Sequence, residues 1–259
     1  MYNHVYRRAP KKIIDIVNEE KSISVNELTN RLNYSPATIR ADLNLLDHEG
    51  LLIRTHGGAT SLVKNADKES LNINFGLREQ ENHKEKIKIA KKAFHFIEED
   101  SCIILDASST SLELGKLINE TNMRLIILTN GLNVANILKN HMNVTTILIG
   151  GIVKGNSNAI ESTLGASILE QLNIDAAFVS AHAFNLKDGL TDFNLYEVEL
   201  KQLMIKYAKK IYALVDHSKL EKRSISSFGS FTDIDYFITD DQIETKLINK
   251  YKNKGLVLL

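Results

Sequence analysis

The sequence predicts an α/β protein in two parts, an N-terminal winged helix-turn-helix followed by a larger α/β domain with a mostly parallel sheet. Three observations lead there. Residues 22–58 read as a helix, a tight turn, a second helix and a short hairpin. From Lys84 onward, short continuous apolar runs alternate with amphipathic stretches, the pattern of strands covered on both faces by helices. At 259 residues and 43% hydrophobic, the chain can bury a sizeable core and divide in two, with domains expected at 1–60 and 84–259 and a linker at 61–83.

In the first part, Ser24 is a good N-cap and Glu27 completes a capping box, after which Val25, Leu28 and Leu32 recur at helical spacing. Asn33-Tyr34 makes the turn, Ser35 caps the next helix, and Pro36 takes its first position, where a missing N–H costs nothing. Ile39, Leu43 and Leu46 then form the apolar stripe, leaving Ala37, Ala41 and Asn44 on the opposite face with Thr38 and Arg40 beside them. Those side chains, with Ser35 at the helix start, are the ones a DNA major groove would meet. Gly50 reads as the helix stop, Leu51–Arg54 as a strand, His56-Gly57-Gly58 as a turn and Ala59-Thr60 as the return strand. Arg54, Thr55 and His56 would lie on this wing, toward phosphates or the minor groove. A capped helix pair also suits any α-rich protein, and charge does not decide: residues 1–60 hold eight basic side chains against seven acidic ones, and the whole chain has zero net charge.

In the second part, Ile87, Ala90, Phe94 and Ile97 stripe a helix that precedes a strand at Cys102–Leu105. Strands are expected next at Leu125–Leu128, Val144–Ile149, Ala176–Val179, Ile211–Val215, Tyr236–Ile238 and Leu256–Leu259, with helices near Ser111–Ile118, Leu132–Leu138, Leu164–Leu172 and Tyr196–Lys209. Parallel sheets bind ligands beyond the carboxyl ends of their strands. There the chain offers Asp106-Ala107-Ser108-Ser109-Thr110, Thr129-Asn130-Gly131, Gly150-Gly151, Ser180-Ala181-His182, Asp216-His217-Ser218-Lys219 and Thr239-Asp240. The hydroxyls of Ser108, Ser109 and Thr110 run into a helix start, which favours an anion such as phosphate. Gly150-Gly151 permits close backbone approach, and Asp216 and Lys219 would bind hydroxyls and an anion. Taken singly, such loops merely cap helices or turn; their convergence on one sheet edge makes a pocket the better reading.

The single cysteine, Cys102, opens an apolar strand and reads as a buried structural thiol, so neither a disulfide framework nor a cysteine metal cluster is expected. The eight histidines are scattered without an HxxxH pair, and no metal or other cofactor is expected. No run is apolar and long enough for a membrane helix, and the polar Met1–Arg8 start is no signal peptide, so the expected compartment is the cytoplasm.

The order of these residues resembles the DeoR-type bacterial repressors. In the N-terminal part the family signature stands as Val25, Glu27 and Leu28, then Ser35, Thr38, Ile39 and Arg40, then Asp42-Leu43, Gly50-Leu51 and His56-Gly57-Gly58. Family members usually carry a second arginine where this chain has Ala41. The likeness continues over most of Lys84–Asp240: Asp106–Thr110 matches the family's aspartate-serine-glycine-threonine-threonine loop, with alanine and serine replacing the usual serine-glycine order. Thr129-Asn130, Gly150-Gly151, Gly189-Leu190-Thr191 and the intact Asp216-His217-Ser218-Lys219 follow, with the acidic residue and lysine of the next helix at Glu197 and Lys201. The resemblance implies a regulator that binds double-stranded operator DNA as a homo-oligomer, dimer or tetramer, and senses a phosphorylated sugar in a domain similar to ribose-5-phosphate isomerase. It adds Glu197 to the effector-binding candidates. Two other readings remain at this point. A sugar-phosphate isomerase carrying a DNA-binding domain would use Glu197, Asp106 or Asp216 as base. A ligand-free architectural protein would have no need of the large α/β domain.

Overall fold

The computed structural model describes residues 8–20, 22–48, 51–55, 57–61, 75–154 and 158–259. The expected wing residue His56, the expected helix stop Gly50 and most of the expected linker lie outside the described residues. The chain divides into two compact units, Met1–Glu81 and Asn82–Leu259.

The first unit contains α1 (Arg8–Glu20), β1 (Ser22–Ser24), α2 (Val25–Leu32), α3 (Pro36–His48), β2 (Ile53–Thr55), β3 (Gly58–Thr60) and α4 (Phe75–Gln80). The capping box forms as expected: the Glu27 N–H donates to Ser24 Oγ at 3.2 Å, and the Ser24 N–H donates to the Glu27 carboxylate at 2.9 Å. Asn33 ends α2 in the left-handed region at φ 57°, a conformation asparagine tolerates. Val25 and Leu28 pack with Ile39, Leu43 and Leu46 of α3 and Ile13 and Val17 of α1 in one core.

The expected two-stranded wing is in fact a three-stranded sheet in the order β1-β3-β2, with Ile23 opposite Ala59. Ser-Ile-Ser is too short to show a strand period, and only Ile23 of the three is buried. Leu51 and Leu52, expected as strand, are buried ahead of it as core residues. Close approach explains the glycine at 58: a Cβ there would stand 2.0 Å from the Ile23 carbonyl oxygen, whereas one at Gly57 would meet nothing within 4 Å.

The second unit contains α5 (His83–Phe94), β4 (Cys102–Leu105), α6 (Ser109–Asn119), β5 (Leu125–Thr129), α7 (Leu132–Leu138), β6 (Val144–Leu148), β7 (Ile152–Val153), β8 (Ile160–Glu161) and β9 (Ile174–Val179). It continues through β10 (Ala183–Asn185), β11 (Gly189–Asp192), α8 (Leu195–Tyr207), β12 (Ala208–Leu214), β13 (Ser226–Gly229), β14 (Tyr236–Ile238) and α9 (Thr245–Lys252). Six strands form a sheet in the order β14-β12-β9-β4-β5-β6, every pair of it parallel. All four residues of β4 are buried, so both faces of the sheet are covered. Burial also pushes the Cys102 thiol up, as befits a structural cysteine. The chain lays β4, β5 and β6 outward in one direction and then returns to place β9 on the other side of β4. That reversal is a topological switch point, and the loops after β4 and β9 flank it.

Several expectations shift. The buried face of α5 is Lys86, Ile89, Ala90 and Ala93, with Ile87 and Phe94 only half-buried. The Leu164–Leu172 helix reduces to a 3-10 turn at Ala166–Glu170, because Gly165 is held against the Gly150 backbone, to whose oxygen its N–H donates at 3.1 Å. Leu256–Leu259 supplies a single bridge, Leu258 beside Phe237, rather than a strand. A small antiparallel sheet, β10-β11-β13, was not foreshadowed.

Among the described residues no helix is long and apolar enough to cross a membrane, and no group of three or more His, Cys, Asp or Glu side chains is placed to hold a metal ion. Gly58→Ala should cost about 1–3 kcal/mol of stability through overpacking against Ile23. Gly57→Ala should be near neutral, and urea unfolding of the two variants beside the parent protein measures the contrast. Equal stabilities would mean that the β1–β3 approach is looser than described.

Candidate functional site

On α3, Ser35 caps the helix by accepting from the Thr38 N–H at 3.1 Å, and the two hydroxyls bond each other at 2.9 Å. Ala37, Arg40, Ala41 and Asn44 are exposed, while Ile39, Leu43 and Leu46 are buried, so the two faces divide as their spacing predicts. Arg54 of β2 is tied to this helix twice. Its backbone N–H donates to Asp47 Oδ1 at 2.8 Å, and its guanidinium donates to Asn44 Oδ1. The wing therefore braces the helix through two of the residues expected to meet DNA.

In the second unit the loops after β4 and β9 and the lysine of α8 meet around Asp106, which is fully buried. Its Oδ1 accepts from the Ser108 N–H at 3.1 Å and the Ser111 hydroxyl at 2.6 Å, and its Oδ2 from the Ser180 N–H at 2.9 Å. Ser108 in turn caps α6, its hydroxyl accepting from the Ser111 N–H at 3.1 Å. On the other side of Asp106 the Lys201 ammonium stands 3.4 Å from Oδ2 and donates to Asp192 Oδ2 and the Ser180 carbonyl, both at 2.8 Å. Burial alone would push this ammonium toward neutrality, but the charges of Asp192, Asp106 and Glu197 outweigh it, and its pKa lies above the ordinary lysine value. Glu197 is buried on the first turn of α8, with Asn194 reaching both it and Glu161 at 3.3 and 2.7 Å.

Ser180 links this cluster to the aspartate-histidine-serine-lysine turn, because its hydroxyl accepts from Lys219 Nζ at 3.3 Å. Lys219 Nζ also lies 3.6 Å from Asp216 Oδ2. His217 is fixed from behind, its backbone N–H donating to Asp240 at 2.8 Å and its ring lying 3.0 Å from the same carboxylate. Burial raises the Asp216 carboxyl, but Lys219, the Ser218 hydroxyl and the Lys86 charge together hold it below the ordinary carboxylate range. Its ionised form thus contributes stability above the unfolded-state pKa, and that contribution is lost as pH falls through the folded-state value.

The Thr129-Asn130-Gly131 loop abuts the Asp106 loop: a Cβ on Gly131 would lie 3.0 Å from the Ala107 Cα. Thr129 Oγ1 accepts from the Gly131 N–H at 2.9 Å, and the Asn130 amide donates to the Ile160 carbonyl at 3.1 Å. Gly150 and Gly151 are exposed, and the second serves packing: a Cβ there would stand 2.3 Å from the Glu161 carbonyl oxygen, across the β7–β8 pairing. Four buried polar atoms along this edge have no hydrogen-bond partner, namely Thr110 Oγ1, Asn130 Oδ1, Asp216 Oδ2 and Thr239 Oγ1. Ser111, Asp192 and Asn82 were missed as members of the edge; each earns its place through partners distant in sequence, which no local motif signals.

Lys201→Met would leave Asp106 and Asp192 buried without their cation and should destabilise the second unit by about 3–5 kcal/mol at neutral pH. Urea unfolding measures this, and a loss near zero would show that the carboxylates are solvated or share a proton.

Comparison with known proteins places this geometry in a family. Residues 10–65 match the DeoR-like helix-turn-helix domain, and residues 81–241 match the DeoR C-terminal sensor domain. The chain is 42% identical to the HTH-type transcriptional regulator GolR of Listeria innocua, over 95% of this chain and 94% of that protein. It is 33% identical to the L-fucose operon activator of Haemophilus influenzae, over 91% and 92% of the two chains. Identity to the glycerol-3-phosphate regulon repressor of Escherichia coli is 30%, over 88% of each. A helix-turn-helix with its polar face open and a sensor domain with its loops gathered at the sheet edge are thus the two halves of one family's architecture: the chain belongs to the DeoR family of transcriptional regulators.

Proposed function

We propose that this protein is a cytoplasmic repressor of a sugar-catabolic operon, released from its operator by a phosphorylated sugar bound at the carboxyl edge of the large sheet. The carrying observation is the set of unpartnered buried polar atoms at Thr110, Asn130, Asp216 and Thr239. Buried polar groups are almost always hydrogen-bonded, so a run of exceptions along one edge suits a polyhydroxylated ligand. The phosphate belongs at Ser109 and Thr110, on the N-terminus of α6, and Lys219 is the nearby cation. The matches to a fucose operon activator and a glycerol-3-phosphate regulon repressor support the ligand class.

Operator recognition falls to Ala37, Arg40, Ala41 and Asn44 on α3, with Ser35 and Thr38 at its start and Arg54 on β2; His56, outside the described residues, is a candidate from its sequence position alone. Paired recognition helices on neighbouring half-sites require at least a homodimer. Catalysis is not part of this reading. Asp106 is saturated by three donors and a lysine, and the depressed pKa of Asp216 makes it a weak base.

In a thermal-unfolding panel of phosphorylated sugars with their unphosphorylated counterparts, one phosphate ester should raise the Tm, gaining about 2.7 kcal/mol at a hundredfold excess over its Kd. Lys219→Ala should abolish that shift while leaving operator affinity intact; a fully responsive variant removes Lys219 from the site. On the DNA side, Arg40→Ala should lower discrimination between operator and random DNA by about 1–3 kcal/mol. Equal losses on both DNAs in a fluorescence-anisotropy titration would reassign Arg40 to a phosphate contact.

A further inference from the structure

Asn82 stands where the second unit begins, directly after Glu81, the last residue of the unit that carries the helix-turn-helix. It occupies the N-cap position of α5 in the left-handed region, φ 50° and ψ 36°, yet its side chain makes no capping bond. An asparagine at this position ordinarily accepts from a backbone N–H in the first turn. Here its amide reaches across the fold, donating to Asp216 Oδ1 at 3.2 Å and to Ser218 Oγ at 2.9 Å. The local capping preference is set aside for a contact with residues far along the chain, and departures from local preference cluster at functional sites. One turn on, Lys86 is buried on the same face of α5.

The geometry points to Asn82 as the positioning residue through which occupancy of the Asp216–Lys219 turn is passed to the DNA-binding unit. This rests on the reading of that turn as part of the effector site. A ligand hydroxyl that donates to the open Asp216 Oδ2 and accepts from Lys219 draws that carboxylate toward the ligand and away from the Asn82 amide, which is bonded to Oδ1 and to Ser218. Once released, the carboxamide is free to cap α5, and its bonds to Asp216 and Ser218 no longer hold the left-handed turn. The direction in which the chain leaves Asn82 toward Glu81, the last residue of the unit that carries the helix-turn-helix, then changes. In the ligand-free protein the tether favours the operator-binding state. By linkage, the ligand weakens operator binding by the same factor by which operator weakens ligand binding.

Asn82→Gly separates the tether from the backbone, since glycine adopts the positive φ without strain but lacks the amide. In the full chain it should bind the active sugar phosphate at least as tightly as the parent, read by Tm shift. Its ligand-free operator affinity should fall by about fivefold or more, and the further loss on adding ligand should shrink to less than about twofold. Asn82→Asp, which sets a carboxylate against Asp216, should reproduce the operator defect. A Gly variant with the parent's operator affinity and the parent's ligand response overturns the proposal. If no sugar phosphate shifts the parent protein, the effector reading fails, and the ligand-free operator affinities alone decide the tether: equal affinities for parent and both variants overturn it, and a loss shared by the variants upholds it.

Discussion

The Lys201 ammonium is buried between the carboxylates of Asp192 and Asp106 and the carbonyl of Ser180, and each partner comes from a different element. Asp106 directly follows β4, Ser180 directly follows β9, Asp192 ends β11 and the lysine rises from α8. Removing any one leaves a charge or a polar group in the interior without compensation, which costs far more than an exposed ion pair contributes. The cluster therefore fixes how the two central strands, the small antiparallel sheet and the covering helix come together. Because β4 and β9 form the topological switch point, the same cluster is also the buried floor of the sheet edge at which such folds bind ligands.

Above that floor the polar groups differ in kind. Asp106 has its acceptors filled, as a structural carboxylate does, whereas Asp216 keeps one buried oxygen without a hydrogen bond and faces a lysine that retains access to solvent. Ser180 joins the two, donating its N–H to one carboxylate loop and accepting from the lysine of the other. Rigid groups thus orient adaptable ones. That division suits a sensor, which must bind its ligand without unfolding and still respond to it.

In the first unit a small apolar core is framed by local devices that set where each element begins and ends. A capping box starts α2, a left-handed asparagine ends it, a serine caps α3, and a glycine admits β3 against β1. These position a helix on whose exposed face Arg40 stands with Ala37, Ala41 and Asn44. The Arg54 guanidinium stands against the same helix face, bonded to Asn44.

Local chemistry by itself determined the helix-turn-helix, the division of α3 into buried and exposed faces, and the parallel strands at Cys102–Leu105 and Tyr236–Ile238. Their signals are periodicity, caps and apolar runs, which are properties of neighbouring residues. The strand-end rule likewise brought Asp106, Ser108, Asp216 and Lys219 to one sheet edge. Only the tertiary structure decided that Ser22–Ser24 is a strand, that α5 buries Lys86 and Ile89 rather than Ile87 and Phe94, and that Gly151 serves a hairpin. It alone joined Lys201 to Asp192 and Asn82 to Asp216, the latter pair separated by 134 positions. Those outcomes depend on which distant partner fills each polar or steric requirement, and a pattern of near neighbours carries no record of that choice.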